Sequence, residues 1–86
     1  MIVEMHYCMV ENYRFARRKE SVVLFNAYNG ACVELDKKSE DILKFIQTKH
    51  PVKQEIVNYA NKIDVLLQDM ESLISCLKET GFIYEN

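Results

Sequence analysis

At 86 residues the chain is long enough for one domain and too short for two. A domain of this size buries only ~60–65% of the surface its unfolded chain exposes, which leaves little room for a deep catalytic cavity beside a core. With 49% hydrophobic and 28% charged residues the chain is too apolar to be disordered, and its net charge of −2 lacks the basic surplus of a nucleic-acid binder.

Residues 1–12 read as an N-terminal extension, either an extra strand or a flexible segment, ahead of a single domain over 13–86. Ile2, Val3, Met5, Tyr7, Cys8 and Met9 are apolar, but Glu4 and His6 interrupt them. There is no basic leading segment and no small-residue cleavage site, so no secretory signal is expected. No apolar run approaches the about 18 residues of a membrane span. The expectation is a cytoplasmic protein without membrane association. Cys8, Cys32 and Cys76 are far apart and odd in number, which fits neither a disulfide framework nor a zinc site. They read as small hydrophobes, with Cys8 in the terminal segment the most exposed to chemistry.

Strand signals come next. Tyr13 to Arg17 begins with alternating aromatic and basic side chains, the period of a half-exposed strand. Ser21 to Phe25 is rich in β-branched and aromatic residues. Asn26 to Gly30 supplies turn chemistry, with Asn29-Gly30 as the dipeptide suited to a tight hairpin. Ala31 to Leu35 resumes the strand, placing Ala31, Val33 and Leu35 on one face and Cys32 and Glu34 on the other.

Three helices follow. Asp36 or Ser39 can cap the first, which runs through Gln47 with Ile42, Leu43, Phe45 and Ile46 as its apolar stripe. Pro51 marks a break and can open the second, Val52 to Asn61. Asp64 is suited to cap the third, Val65 to Thr80, whose stripe is Leu66, Met70, Leu73, Ile74 and Leu77. Gly81 ends it, and Phe82-Ile83-Tyr84 folds back as an apolar tail. The fold class is therefore α+β: a three-stranded antiparallel sheet followed by three helices, in an order that resembles a winged helix-turn-helix.

The pieces in sequence resemble the PqqD-like family of peptide-recognition elements. Val23-Leu24-Phe25-Asn26, Gly30 and Val33-Glu34-Leu35-Asp36 are similar to its hairpin. Ser39 with Ile42-Leu43-Phe45-Ile46 is similar to its first helix, and Val52, Glu55, Ile56 and Val57 to its second. Asp69, Met70, Leu73, Leu77 and Gly81-Phe82-Ile83 are similar to its third helix and exit. The resemblance spans Tyr13 to Tyr84. It departs at Thr48-Lys49-His50-Pro51, where the family often has a glycine-containing turn, and residues 1–12 match nothing in it.

The resemblance implies a non-catalytic adaptor without metal or cofactor. Such proteins bind the leader of a ribosomally made precursor peptide and present it to a modifying enzyme, often a radical SAM protein. The end of the chain at Asn86 leads us to expect a free-standing member. The leader adds as a strand along the third strand, beside the third helix. Strand addition suits a small domain because main-chain hydrogen bonds and a few side-chain contacts supply the affinity. Ala31, Cys32, Val33, Glu34 and Leu35 hold no Pro and no Lys, so that edge is poorly defended. Asp69, Met70, Leu73 and Leu77 are the expected helix wall. Asp69, Ser72, Cys76 and Thr80 lie on one flank of the helix stripe, and Leu67, Glu71, Ile74 and Lys78 on the other. The residues alone do not select the flank that faces the strand, and Val33→Pro is the natural test of the edge.

Three other classes compete with this reading. A DNA-binding regulator needs a recognition helix offering Arg, Lys, Asn or Gln. The third helix instead has Asp64, Asp69, Glu71 and Glu79 against Lys78, and the one basic cluster is Arg14, Arg17, Arg18 and Lys19. A dimerisation module would pair two copies through the same edge as a homodimer, or through the apolar N-terminus. For catalysis, His6 and His50 have no sequence-near nucleophile, and there is no phosphate loop or HExxH motif.

Overall fold

A computed structural model describes residues 4–86. It is α+β, with elements in the order β1 (Tyr7–Met9), β2 (Tyr13–Arg17), β3 (Ser21–Asn26), β4 (Cys32–Asp36), α1 (Lys37–Lys49), α2 (Lys53–Lys62), α3 (Leu67–Glu79) and β5 (Ile83–Glu85). β2, β3 and β4 form an antiparallel three-stranded sheet, and β1 pairs with β5 in a separate ribbon.

The sheet has one buried face. Val22, Leu24 and Asn26 of β3 and Leu35 of β4 point into the core, whereas Phe25, Cys32 and Glu34 are exposed. Helix α1 lies under this face through Ile42, Leu43 and Ile46. Its start is set by Asp36, whose carboxylate accepts from the Ser39 N–H at 2.8 Å. That bond to the charged form holds the Asp36 pKa below the usual carboxylate value. The helix ends at His50, which takes the left-handed φ of 47°. A histidine thus fills the left-handed turn after α1, and its carbonyl accepts from His6 Nδ1 at 2.7 Å.

Several boundaries differ from the sequence reading. The hairpin between β3 and β4 is longer than an Asn29-Gly30 turn. Asn26 N–H donates to the Ala31 carbonyl and Gly30 N–H to the Asn26 carbonyl, both at 2.9 Å. Gly30 alone in this loop has positive φ, 74°, so it is the left-handed residue of a bulged hairpin. Ala31 consequently lies in the loop, and β4 begins at Cys32. Pro51 does not open α2. It is buried ahead of Val52, and its carbonyl accepts the Tyr7 N–H at 2.8 Å. Asp64 does not cap α3; it takes φ 60° in the connection, and Leu66 is the N-cap.

Tyr7, Cys8 and Met9 are all buried, so β1 is a core strand. It registers Tyr7 with Glu85, Cys8 with Tyr84 and Met9 with Ile83. Cys8, expected to be the accessible thiol, is covered by this pairing, whereas Cys32 and Cys76 are exposed. Tyr7, Met9, Phe82 and Ile83 join Met70, Ile74, Leu77, Ile56 and Ala60 in one cluster with the inner face of the sheet.

Candidate functional site

The outer edge of β4 is where the sheet ends. In an antiparallel pair, bonded and non-bonded residue pairs alternate. The hairpin closes on the bonded pair Asn26–Ala31, and the register then runs Phe25–Cys32, Leu24–Val33, Val23–Glu34. Val33 therefore exchanges hydrogen bonds with Leu24. The main-chain groups of Cys32 and Glu34 point the other way, to the outer edge, and meet no strand among the described residues. This corrects the choice of test: Val33→Pro would break the β3–β4 ladder, whereas the groups open to a ligand belong to Cys32 and Glu34.

Helix α3 runs antiparallel to this edge, tied to it at both ends. At one end Asn26 Nδ2 donates to the Thr80 and Gly81 carbonyls, each at 3.1 Å, and Asn29 Nδ2 donates to the Thr80 carbonyl at 3.1 Å. At the other end Lys38 Nζ donates to the Asp64 carbonyl at 3.4 Å. Between the ties β4 packs on β3 and α1, and α3 packs on α2 and β5. Five strand residues span about 17 Å and thirteen helical residues about 20 Å, so strand and helix are similar in length.

The structure also selects the flank of α3. Lys53 Nζ lies 3.7 Å from Glu71 and Lys78 Nζ 2.8 Å from Glu85, so the flank of Leu67, Glu71, Ile74 and Lys78 faces α2 and β5. Lys78 holds the Glu85 carboxyl below the usual range, and burial raises the nearby Tyr7 hydroxyl. The opposite flank, with Asp69, Ser72, Cys76 and Thr80, ends at the β3–β4 hairpin, where the Thr80 carbonyl accepts from Asn26 and Asn29, and Leu73 borders it. Helical geometry adds Leu66, which is 71% exposed, to that side.

The expected site residues divide by burial. Cys32 and Glu34 are exposed on the outer face of the sheet, and Glu34 accepts from Ser21 Oγ at 2.8 Å. Ala31 and Val33 are half-buried and Leu35 is buried. On α3, Asp69 is exposed and Leu73 half-buried, whereas Met70 and Leu77 have no exposed surface and belong to the core. Of the four expected helix residues, only Asp69 and Leu73 therefore retain surface that a ligand could touch.

Asn26 was read only as turn chemistry. It is 2% exposed, and its Oδ1 also accepts the Tyr28 N–H at 2.9 Å. Gly81, with φ 78°, leaves room for it: a Cβ there would stand 3.0 Å from Asn26 Nδ2. An asparagine before a glycine-containing loop gave no hint of a partner more than fifty residues away.

Among the described residues no group of three or more His, Cys, Asp or Glu side chains is placed to hold a metal ion, and no helix is long and apolar enough to cross a membrane. No family model, no curated protein and no solved structure matches the chain.

Proposed function

We propose that this chain is a peptide-binding adaptor of the PqqD-like kind. In this reading the sheet and three helices serve as a winged helix-turn-helix whose strand edge, not its helix, meets the ligand. The leader of a precursor peptide adds as a strand along Cys32 to Asp36, with one row of its side chains against Leu73 and Leu66 of α3. A modifying enzyme, of the radical SAM type in many relatives of this family, acts on the rest of the precursor. The adaptor itself supplies no chemistry and no cofactor. The observation that carries the reading is the outward-facing main chain of Cys32 and Glu34 beside a helix tied at both ends.

The experiment is a titration of the isotope-labelled chain with the leader region of a short precursor encoded beside its gene. Amide shifts should cluster at 32–36 and along 66–80. Shifts confined to 53–62, or saturable binding to duplex DNA in place of peptide, would sink the reading. N-methylation of the Glu34 amide in a synthetic chain, which removes one outward donor and leaves β3 paired, should weaken the complex roughly five- to tenfold. A homodimer through the same edge predicts instead that these amides shift with chain concentration alone.

A further inference from the structure

The opposite edge of the sheet also ends without a paired strand among the described residues. β2 is an edge strand, and the alternation of bonded pairs can be followed across it. Arg18 N–H donates to the Ser21 carbonyl at 2.8 Å, closing that hairpin on a bonded pair. The register Arg17–Val22, Ala16–Val23, Phe15–Leu24 then leaves the main chains of Phe15 and Arg17 facing outward.

The two faces of β2 differ in chemistry. Tyr13, Phe15 and Arg17 share the inner face, above α1. Gln47 Nε2 donates to the Tyr13 hydroxyl at 3.3 Å, and Arg17 makes a two-pronged contact with Glu40, one arm at 3.2 Å. Lys44 also approaches Glu40, at 3.6 Å. Between these contacts a cavity of about 250 Å³ opens beside Phe15, walled by Met9, Leu24 and Leu43. Phe15 lies 62% exposed although it is on the core side of the sheet. On the outer face stand Arg14 and Ala16, followed by Arg18 beyond the strand. Arg18 reaches Glu34 at 3.8 Å across the sheet; Arg14 has no carboxylate partner among the described residues.

We propose that β2 accepts an extended segment of a protein partner in which acidic and apolar residues alternate. Pairing with the outward main chain of Phe15 puts the facing residue of the partner on the inner side, where an aromatic or aliphatic side chain enters the cavity. Its neighbours on either side emerge on the outer face opposite Arg14 and Ala16, and the next outer-face residue of the partner stands opposite Arg18, so carboxylates are favoured at the two ends of this row. A second copy of this chain fits poorly, because antiparallel pairing of two β2 strands sets the arginines of both along one seam. The charge that keeps copies apart is the charge that selects an acidic strand. This surface is independent of the β4 edge and lies across the sheet from it, so the two can be occupied together.

The test uses the full chain and two synthetic peptides, acetyl-Glu-Val-Glu-Phe-Glu-Val-Glu-amide and its twin with Lys for every Glu. The acidic peptide should give saturable amide shifts at 13–18 and at Leu43 and leave 32–36 unmoved; the basic twin should give none. Arg14→Glu and Phe15→Ala alter exposed side chains, so the thermal midpoint should hold while each weakens the acidic peptide by roughly tenfold. The proposal is overturned by no saturable shift up to about 1 mM peptide, by equal response to both peptides, or by shifts at 32–36 instead. It is overturned too if 13–18 shift on raising chain concentration alone and the mass doubles, since the occupant is then a second copy.

Discussion

The outer edge of β1 donates its Tyr7 N–H to the Pro51 carbonyl, and His6 bridges to Val52, while its inner edge pairs with β5. The outer edge of β4 meets no strand among the described residues. The two strands are similarly short and each contains a cysteine. They differ in what the fold does with their main chain: β1 makes hydrogen bonds on both sides and is buried, whereas β4 is paired on one side only among the described residues. An unpaired edge invites association unless charge, proline or a bulge defends it. The fold thus covers one short edge with a loop and leaves the other unpaired among the described residues.

The largest effect should come from undoing the covered side. Phe82 has no exposed surface, and its carbonyl accepts the Val10 N–H at 2.9 Å. Phe82→Ala should cost about 3–5 kcal/mol, read as a lowered urea midpoint. Cys32→Ala on the open edge should stay within about 0.5 kcal/mol of the parent. Similar costs for both would remove the distinction between a core ribbon and an exposed edge.

Next is the tie at the hairpin. Asn26→Ala removes a buried amide and takes a donor from the Gly81 carbonyl, while Asn29 still donates to that of Thr80. The expected loss is about 1–3 kcal/mol. Hydrogen exchange should quicken at Gly30 to Val33 and at Phe82, because the hairpin holds the end of α3 less firmly. Asn29→Ala, which removes an exposed bond to the same Thr80 carbonyl, should do less. Equal effects would mean that Asn26 is not the main tie between the hairpin and the end of α3.

Smaller still is the cap at the far end of β4. Asp36→Ala should cost about 1 kcal/mol. Asp36, Glu40 and Glu85 all have pKa values below the ordinary carboxylate range, held there by the Ser39 N–H, Arg17 and Lys78 respectively. A depressed folded pKa adds stability that is complete above the unfolded value and is lost as pH falls through the folded one. Urea midpoints should therefore be level above the carboxylate range and fall below it. Asp36→Asn keeps a capping oxygen but cannot titrate, so its acid limb should be shallower than that of the parent.

How much of this was legible before the structure depends on the range of the interaction. The sheet, the three helices and most of their stripes follow from local periodicity and turn residues and stand where the sequence puts them, with ends shifted by a few residues; Leu66, expected in the third stripe, is instead the exposed N-cap of α3. Asp64 looked like a cap because capping chemistry is local, yet Leu66 begins the helix without a side-chain cap bond. β1 escaped firm assignment because a three-residue strand buried on both faces shows an apolar run without alternation, and its partner β5 is at the other end of the chain. The flank of α3 that borders β4 could not be read from its stripe. It follows from Lys53–Glu71, Lys78–Glu85 and Asn26–Thr80, pairings of residues distant in sequence.

The gentlest probe leaves stability alone and reads the thiols. Reaction with a thiol reagent requires a thiolate that the reagent can reach. Cys8 is buried opposite Tyr84 in the β1–β5 ribbon, whereas Cys32, on β4, and Cys76, on α3, are exposed. Under native conditions, mass spectrometry should find Cys32 and Cys76 labelled early, with Cys8 lagging until the ribbon opens. If Cys8 keeps pace with Cys32, β1 separates from β5 by local opening, and the covered edge is covered only part of the time. Repeating the labelling with leader peptide present extends the comparison to function. A strand laid along β4 should slow Cys32 and Cys76 and leave Cys8 unchanged, whereas protection of Cys8 alone would put the peptide on the ribbon and off the sheet edge.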